Sequence, residues 1–319
     1  MNKFLLYGLV SLAFLSIPAM AQEPTYAERL GWAPGAKVVI LHIDDAGMSH
    51  GSNLGTIQAM EEGLATSCSI MMPCSWVSEY ARHLESHPDT DAGLHLTFTS
   101  EWSGYRWGPL AGKSQVPGLV DKEGCFWPEV VDVIAHASAD EIEKEIRAQV
   151  DRAQTMGIDF THLDSHMGTL FATPVYTERY IKVGIELGIP VLLPGGHLQY
   201  ISQESPLPME QVRAAAGQLW EAGLPVVDDI LASTYDWKKE DKVEKYMEAL
   251  RGMKPGILEV ILHCSEPTEE FPAFTGSSET RKGDLMAMLD PRLAQCIKDE
   301  GIVLTTWREL KQRRDQVGK

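Results

Sequence analysis

Positive charge is scarce in this chain. Only 28 Lys and Arg stand against 45 Asp and Glu, a formal net charge of −17 over 319 residues. So acidic a chain is a poor partner for nucleic acid or anionic lipid, which are held by cationic side chains. A neutral or cationic substrate fits better. Cysteine is sparse as well: Cys68, Cys74, Cys125, Cys264 and Cys296, with no pair at zinc-motif spacing. The odd number leaves at least one thiol outside any intramolecular disulfide, and a chain this long does not need such a framework for stability. No Gly-x-Gly-x-x-Gly turn follows the first strand candidate, and no Gly-rich loop with basic residues offers a phosphate cradle.

Long apolar runs are missing beyond the N-terminus. There, Lys3, apolar Phe4 through Ile17, and Pro18-Ala19-Met20-Ala21 follow the order of a secretory signal peptide with its cleavage site before Gln22. The alternative is an uncleaved anchor, for which the run is short. Cleavage leaves residues 22–319 as an expected single catalytic domain in the periplasm or secreted medium. It has no integral membrane segment, and its charge becomes −17 − 1 = −18.

What is present is an alternation of short apolar runs with helical patterns. Strand candidates are 37–43, 66–72, 92–97, 160–163, 190–193, 225–228, 258–263 and 302–305. Their apolar runs lack strict alternation, as suits strands covered on both faces. Helix candidates are 53–62, 77–86, 139–156, 174–187, 209–221, 242–253, 285–299 and 307–316. Ser138 and Glu141 make a capping box at the start of the clearest one, in which Ile142, Ile146 and Val150 recur at helical spacing. The repetition argues for a parallel α/β sheet closed, or nearly closed, into a barrel. Two stretches break the rhythm. Residues 101–128 carry Trp102, Tyr105 and Trp107 among Gly and Pro, which could stack on sugar rings or pack into a loop minicore. Residues 265–283 carry Glu266 and read as a lid.

Barrel active sites gather at the C-terminal ends of strands. Asp44, Asp45, His95, His162, His166 and His263 all fall at or just past such ends. One carboxylate with two imidazoles is a ligand set for a hydrolytic divalent metal with open positions. If Asp45 binds the metal, Asp44 can take a proton from the bound water. His166, past its strand end, is the better ligand candidate. His162 reads as ligand or support, with Asp164 available to orient imidazoles. A histidine at position 263 could protonate a leaving amine. His42, His50, His83, His87, His136 and His197 read as surface or packing residues.

The segments 43–49 (Ile-Asp-Asp-Ala-Gly-Met-Ser), 92–97 (Ala-Gly-Leu-His-Leu-Thr), 161–166 (Thr-His-Leu-Asp-Ser-His) and 259–263 (Glu-Val-Ile-Leu-His) resemble, in order, the motifs of the YdjC family of ChbG/HpnK-type carbohydrate deacetylases. The resemblance runs from about Lys37 to His263. It implies a TIM-barrel-like (β/α) fold, distorted or incompletely closed. It also implies a divalent-metal hydrolase acting on N-acetylated amino sugars or oligosaccharides, with Zn, Mg, Mn or Co as cofactor. Metal ligands then fall on Asp45, His95 and His166, the base on Asp44 and the acid on His263. Two motifs depart from the family pattern: Met167-Gly168-Thr169 stands where further histidines are usual, and His263-Cys264-Ser265 where His-Pro-Gly is usual. The competing expectations are a metal-dependent esterase or phosphoesterase on the same scaffold, and a carbohydrate-binding protein without turnover. A spare carboxylate beside the ligand set favours catalysis over binding alone.

Overall fold

The computed structural model describes residues 23–205 and 207–318. The signal-peptide expectation therefore lies outside the described residues. Seven parallel strands make one curled sheet: β1 (Lys37–Ala46), β2 (Ser67–Ile70), β3 (Ala92–Leu96), β4 (Leu163–Ser165), β5 (Asp229–Leu231), β6 (Gly256–Leu262) and β7 (Val303–Leu304). The order is β4-β3-β2-β1-β6-β5, with β7 beside the start of β1. Single parallel bridges, Leu163 to Val191 and Pro194 to Val227, carry the ladder from β4 around toward β5. The sheet thus comes round into a distorted, TIM-barrel-like arrangement with helices outside. All residues of β2, β3, β4 and β6 are buried, as strands covered on both faces should be.

Several element bounds move. Residues 190–193 make one bridge, at Val191, and no extended strand; Pro190 and Pro194 bring no N–H to a ladder. The ladder expected at 225–228 is displaced to Asp229–Leu231. The helix expected over 285–299 is two helices, Ser278–Met288 and Pro291–Asp299. Asp290 accepts a hydrogen bond from the Arg292 N–H at 2.8 Å, and Pro291 sits in the first helical turn, where its missing N–H costs nothing. The first of these helices takes up residues expected to form a lid loop. The capping box at Ser138 and Glu141 is present, and Ile142, Ile146 and Val150 are buried on its helix, Ala139–Thr155. The five cysteines are free thiols. No helix among the described residues is long and apolar enough to cross a membrane.

The loop after β1 is fixed tightly. Gly47 has φ +80°, and a Cβ there would lie 2.8 Å from the Val77 side chain. Its N–H donates to Asn53 Oδ1 at 2.7 Å, tying the strand end to the helix His50–Glu61. Ser49 caps that helix by accepting from the Ser52 N–H.

Candidate metal centre

Adjacent residues on a regular strand point to opposite faces. Asp44 and Asp45 escape this rule because the β1–β2 register shifts between Ile43 and Ala46, and Asp45 takes φ +70°. A left-handed conformation at a non-glycine residue is strained and is held by its surroundings. Both carboxylates therefore line one cavity.

Asp45 Oδ1 lies 3.4 Å from His95 Nε2 and 3.3 Å from His166 Nδ1; the two nitrogens are 3.3 Å apart. Metal–ligand distances of about 2.0–2.1 Å set the edges of a tetrahedral ligand shell at roughly 3.3–3.4 Å. The triangle thus fits a small divalent cation. Asp45 Oδ1 is buried and, among the described residues, has only the two imidazole nitrogens near it, so its lone pairs could be shared with a cation. Each imidazole is held from behind by a carboxylate. His95 Nδ1 meets Asp164 Oδ1 at 2.7 Å, its cross-strand neighbour in the β3–β4 register. His166 Nε2 meets both Glu101 oxygens at 3.2 Å. Such outer carboxylates fix the ring orientation and make the facing nitrogen more basic.

The electrostatics agree. Burial alone would lower His166, but Glu101 and Asp45 outweigh it and raise it to about 10. Burial also opposes the charge on His95, and Asp44 and Asp164 overcome it. Burial would raise Asp45, yet Arg281 and then His166 hold it well below the usual carboxylate range. Carboxylates that draw protons onto buried imidazoles favour a divalent cation in the same place.

His263 Nε2 faces this centre at 3.8 Å from Asp44 Oδ2. Its ring stands edge-on to Tyr235, and its backbone N–H donates to Asp284 Oδ2 at 3.0 Å. Asp284 is itself buried with Lys242, so the end of β6 rests on a satisfied ion pair. His162 stands apart from the triangle. It stacks on Trp307 over Gly93, where a Cβ would come within 2.4 Å of the ring. Burial, and then the neighbouring His42, hold His162 well below its ordinary value, and its Nδ1 meets Thr161 Oγ1 at 2.9 Å. Of the loop residues, Trp102 lines the cavity. Trp107 is buried and donates to Thr99 O, while Tyr105 donates to Met48 O and packs against Trp107. Glu266 pairs with Lys282 and lines neither the metal-centre cavity nor the cleft beside it.

Three site residues carry no role in the sequence reading. Arg281 donates to Asp45 Oδ2 at 2.7 Å, between the rings of Trp102 and Tyr235. Glu101 backs His166. His42, read as surface or packing, is fully buried: its Nε2 meets Asp164 Oδ2 at 2.9 Å and Asp44 Oδ1 at 3.3 Å, and its Nδ1 meets Ser67 Oγ at 3.0 Å. It bridges the carboxylate behind His95 to the spare carboxylate Asp44. Period-two alternation puts residues 42 and 44 on one face, which is the signal that points to it.

Below His42 lies Glu259, fully buried, with His42 Nδ1 at 3.6 Å and the Trp307 side chain as its polar neighbours among the described residues. Burial pushes its carboxyl up to about 8. A folded pKa above the unfolded value of about 4.3 means that the folded chain holds this proton more tightly. Its contribution to stability is present at low pH and is lost as pH rises from about 4.3 through 8. The Glu259→Gln variant should match the parent at about pH 4 and exceed it by several kcal/mol at about pH 8.5, because each tenfold difference in proton affinity between folded and unfolded chain is worth about 1.4 kcal/mol. Unfolding midpoints of both proteins at the two pH values check this; a gap that does not change with pH would remove the buried proton from the account.

Residues 38–299 match the family model described as YdjC-like protein. A carbohydrate deacetylase of Thermus thermophilus is 31% identical over 286 residues, 89% of this chain and 97% of the relative. A carbohydrate deacetylase of Thermoanaerobacter pseudethanolicus is 26% identical over 86% of this chain and its own full length. A chitooligosaccharide deacetylase of Klebsiella pneumoniae is also 26% identical, over 86% of this chain and 99% of its own. Among solved structures, an Enterococcus faecalis protein described as a cellobiose-phosphate cleavage protein superimposes with a TM-score of 0.73 at 19% identity, covering 86% of this chain and 99% of that one. At that identity the likeness speaks for the fold. With four motifs in order, a family match over most of the chain and relatives aligned nearly end to end, this chain belongs to the YdjC-like protein family.

Proposed function

We propose that this protein is a divalent-metal-dependent hydrolase that removes N-acetyl groups from an amino sugar or oligosaccharide. The observation that carries the reading is the Asp45–His95–His166 triangle with a second carboxylate, Asp44, 3.7 Å from His95 Nε2. The deacetylase names of the relatives support it. A divalent ion held by Asp45, His95 and His166 would polarise the amide carbonyl and acidify a water.

In this reading Asp44 accepts the proton of the attacking water. His42, bonded to Asp164 and close to Asp44 Oδ1, orients that carboxylate. His263 gives a proton to the leaving nitrogen, a step amides need because an amide anion leaves very poorly. Burial holds His263 below the ordinary imidazole value despite Asp45 and Asp44 nearby. The resting ring is therefore neutral, and the proton it delivers is one it first receives, with Asp44 Oδ2 at 3.8 Å as the donor at hand. Trp102 and Tyr235, with Arg281 between their rings, line both the cavity and the cleft beside it, where the sugar would lie. With residues 1–21 read as a leader, the substrate is an extracytoplasmic glycan.

Acetate release from N-acetylglucosamine oligomers is the test, using chelator-treated protein and protein resupplied with Zn²⁺, Mg²⁺, Mn²⁺ or Co²⁺. Release is expected only after a metal is restored. Equal release in the presence of chelator would overturn metal dependence, and no release with any metal would overturn the deacetylase reading.

A further inference from the structure

The cavity that Asp44, Asp45, His95 and His166 line measures about 760 Å³ and has two unlike sets of lining residues. One carries the carboxylates and imidazoles described above. The other is built from the ends of three neighbouring segments of the barrel wall. Leu192 and Leu193 come from the bridged stretch after Pro190, Ile230 and Ala232 from β5 and the residue beyond it, and Ile261 from β6; Phe171 closes the edge beside His166. Ile201, Leu207 and Val212 extend this wall, Glu204 and Ser205 are its polar members, and His263 ends β6 beside it. Glu101, Trp102, Tyr235 and Asp236 are shared with a second, open cleft of about 540 Å³, whose further lining includes Ser103, Ser277 and Thr280. The catalytic groups therefore sit where a polar cleft with aromatic faces meets an apolar chamber.

An amide carbonyl carbon carries two substituents, nitrogen and an alkyl group. A sugar buried against Leu and Ile would lose hydrogen bonds that the cleft can supply, so the sugar belongs in the cleft. The alkyl group then points into the chamber, where an acetyl methyl would leave most of the apolar wall uncovered. We propose that this chamber receives the acyl chain of the substrate and that the preferred amide is an N-acyl amino sugar with an acyl group longer than acetyl. This deepens the amide-hydrolase reading above and rests on it. The chemistry keeps its balance: the water oxygen bonds to the acyl carbon, the C–N bond breaks, one water hydrogen goes to the leaving nitrogen, and the second, lost as the acid ionises, is taken up by the amine as ammonium. The products are the free amino sugar and a fatty carboxylate, with no change in oxidation state.

The experiment measures kcat/KM by amine release from N-acetyl-, N-butyryl-, N-hexanoyl- and N-octanoylglucosamine, and from the hexyl β-glycoside of N-acetylglucosamine. Each methylene transferred to the chamber is worth about fourfold until the chamber fills, so the hexanoyl amide should exceed the acetyl amide by about 10²-fold. The hexyl glycoside should show no gain over the parent sugar. In the Ala232→Phe variant the hexanoyl-to-acetyl ratio should collapse toward one. A flat or falling acyl series overturns the proposal. A gain confined to the hexyl glycoside overturns it in favour of an apolar group on the anomeric oxygen. No amine from any substrate, acetyl included, overturns the hydrolase reading itself, a result distinct from acetyl turnover without chain-length preference.

Discussion

On the proposed function, His166→Ala should abolish divalent-metal binding and acetate release together, with a fall of about 10³-fold or more in kcat/KM. Nδ1 of His166 forms one corner of a triangle whose other corners are Asp45 Oδ1 and His95 Nε2, and the Glu101 carboxylate holds the ring there from its far nitrogen. Taking away one of three protein ligands leaves two, and even losing an outer carboxylate costs roughly 10–100-fold in metal affinity. His166 is a cleaner choice than Asp45. Asp45→Ala would also leave Arg281, only 3% exposed, without its carboxylate, and an uncompensated buried charge costs about 3–5 kcal/mol. Loss of activity there would mix metal release with unfolding. Metal content of the purified variant, measured beside its unfolding midpoint, decides the matter. Stoichiometric metal in a folded His166→Ala protein would take His166 out of the ligand set. His95→Ala should behave in the same way, since Asp164 stands behind it as Glu101 stands behind His166.

The parts of this centre differ in how visible they are from the chain alone. Asp44, Asp45, His95, His166 and His263 each end an apolar run or follow one closely, and barrel architecture turns that position into proximity. His42 obeys the same logic but sits inside a run, so a buried polar residue passes for a packing one. The alternation rule that aligns it with Asp44 holds only up to the register shift, where Asp45 turns inward at φ +70°. Glu101 and Arg281 give no local signal. Arg281 lies in a polar stretch, Ser277-Ser278-Glu279-Thr280-Arg281-Lys282, that reads as loop yet forms the start of a helix. Its role comes from a contact with Asp45 across 236 positions of sequence. The helix pair around Asp290 is readable in detail: Asp-Pro is a cap followed by a first-turn proline, although buried Leu285, Met288, Leu293 and Cys296 keep an apolar pattern running across the break. The apolar chamber has no signature in the sequence. Leu192, Ile230 and Ile261 look like any core residues until the barrel leaves a cavity beside them.

The division of labour between Asp44 and His263 separates in a second experiment. Asp44→Asn keeps the shape of the side chain and can still hydrogen-bond, but it cannot take a proton. Metal should stay bound, because Asp44 is not a corner of the triangle, while turnover falls by about 10²-fold or more, the usual scale for loss of a general base. That fall should be similar on an amide and on an activated ester, since both need the water deprotonated. His263→Ala should fall by a similar factor on the amide and by much less on an activated ester, whose leaving group departs without a proton. The two substrates thus give different patterns for the two residues. If His263→Ala loses equally on both, His263 binds or positions substrate through its contact with Tyr235, and the proton reaches nitrogen by another route. If Asp44→Asn loses its metal, the carboxylate 3.7 Å from His95 Nε2 is a fourth ligand, and the base must be sought elsewhere in the cavity. Retained metal with a collapsed amide rate in both variants, and a spared ester rate only in His263→Ala, is the pattern that a base at Asp44 and an acid at His263 require.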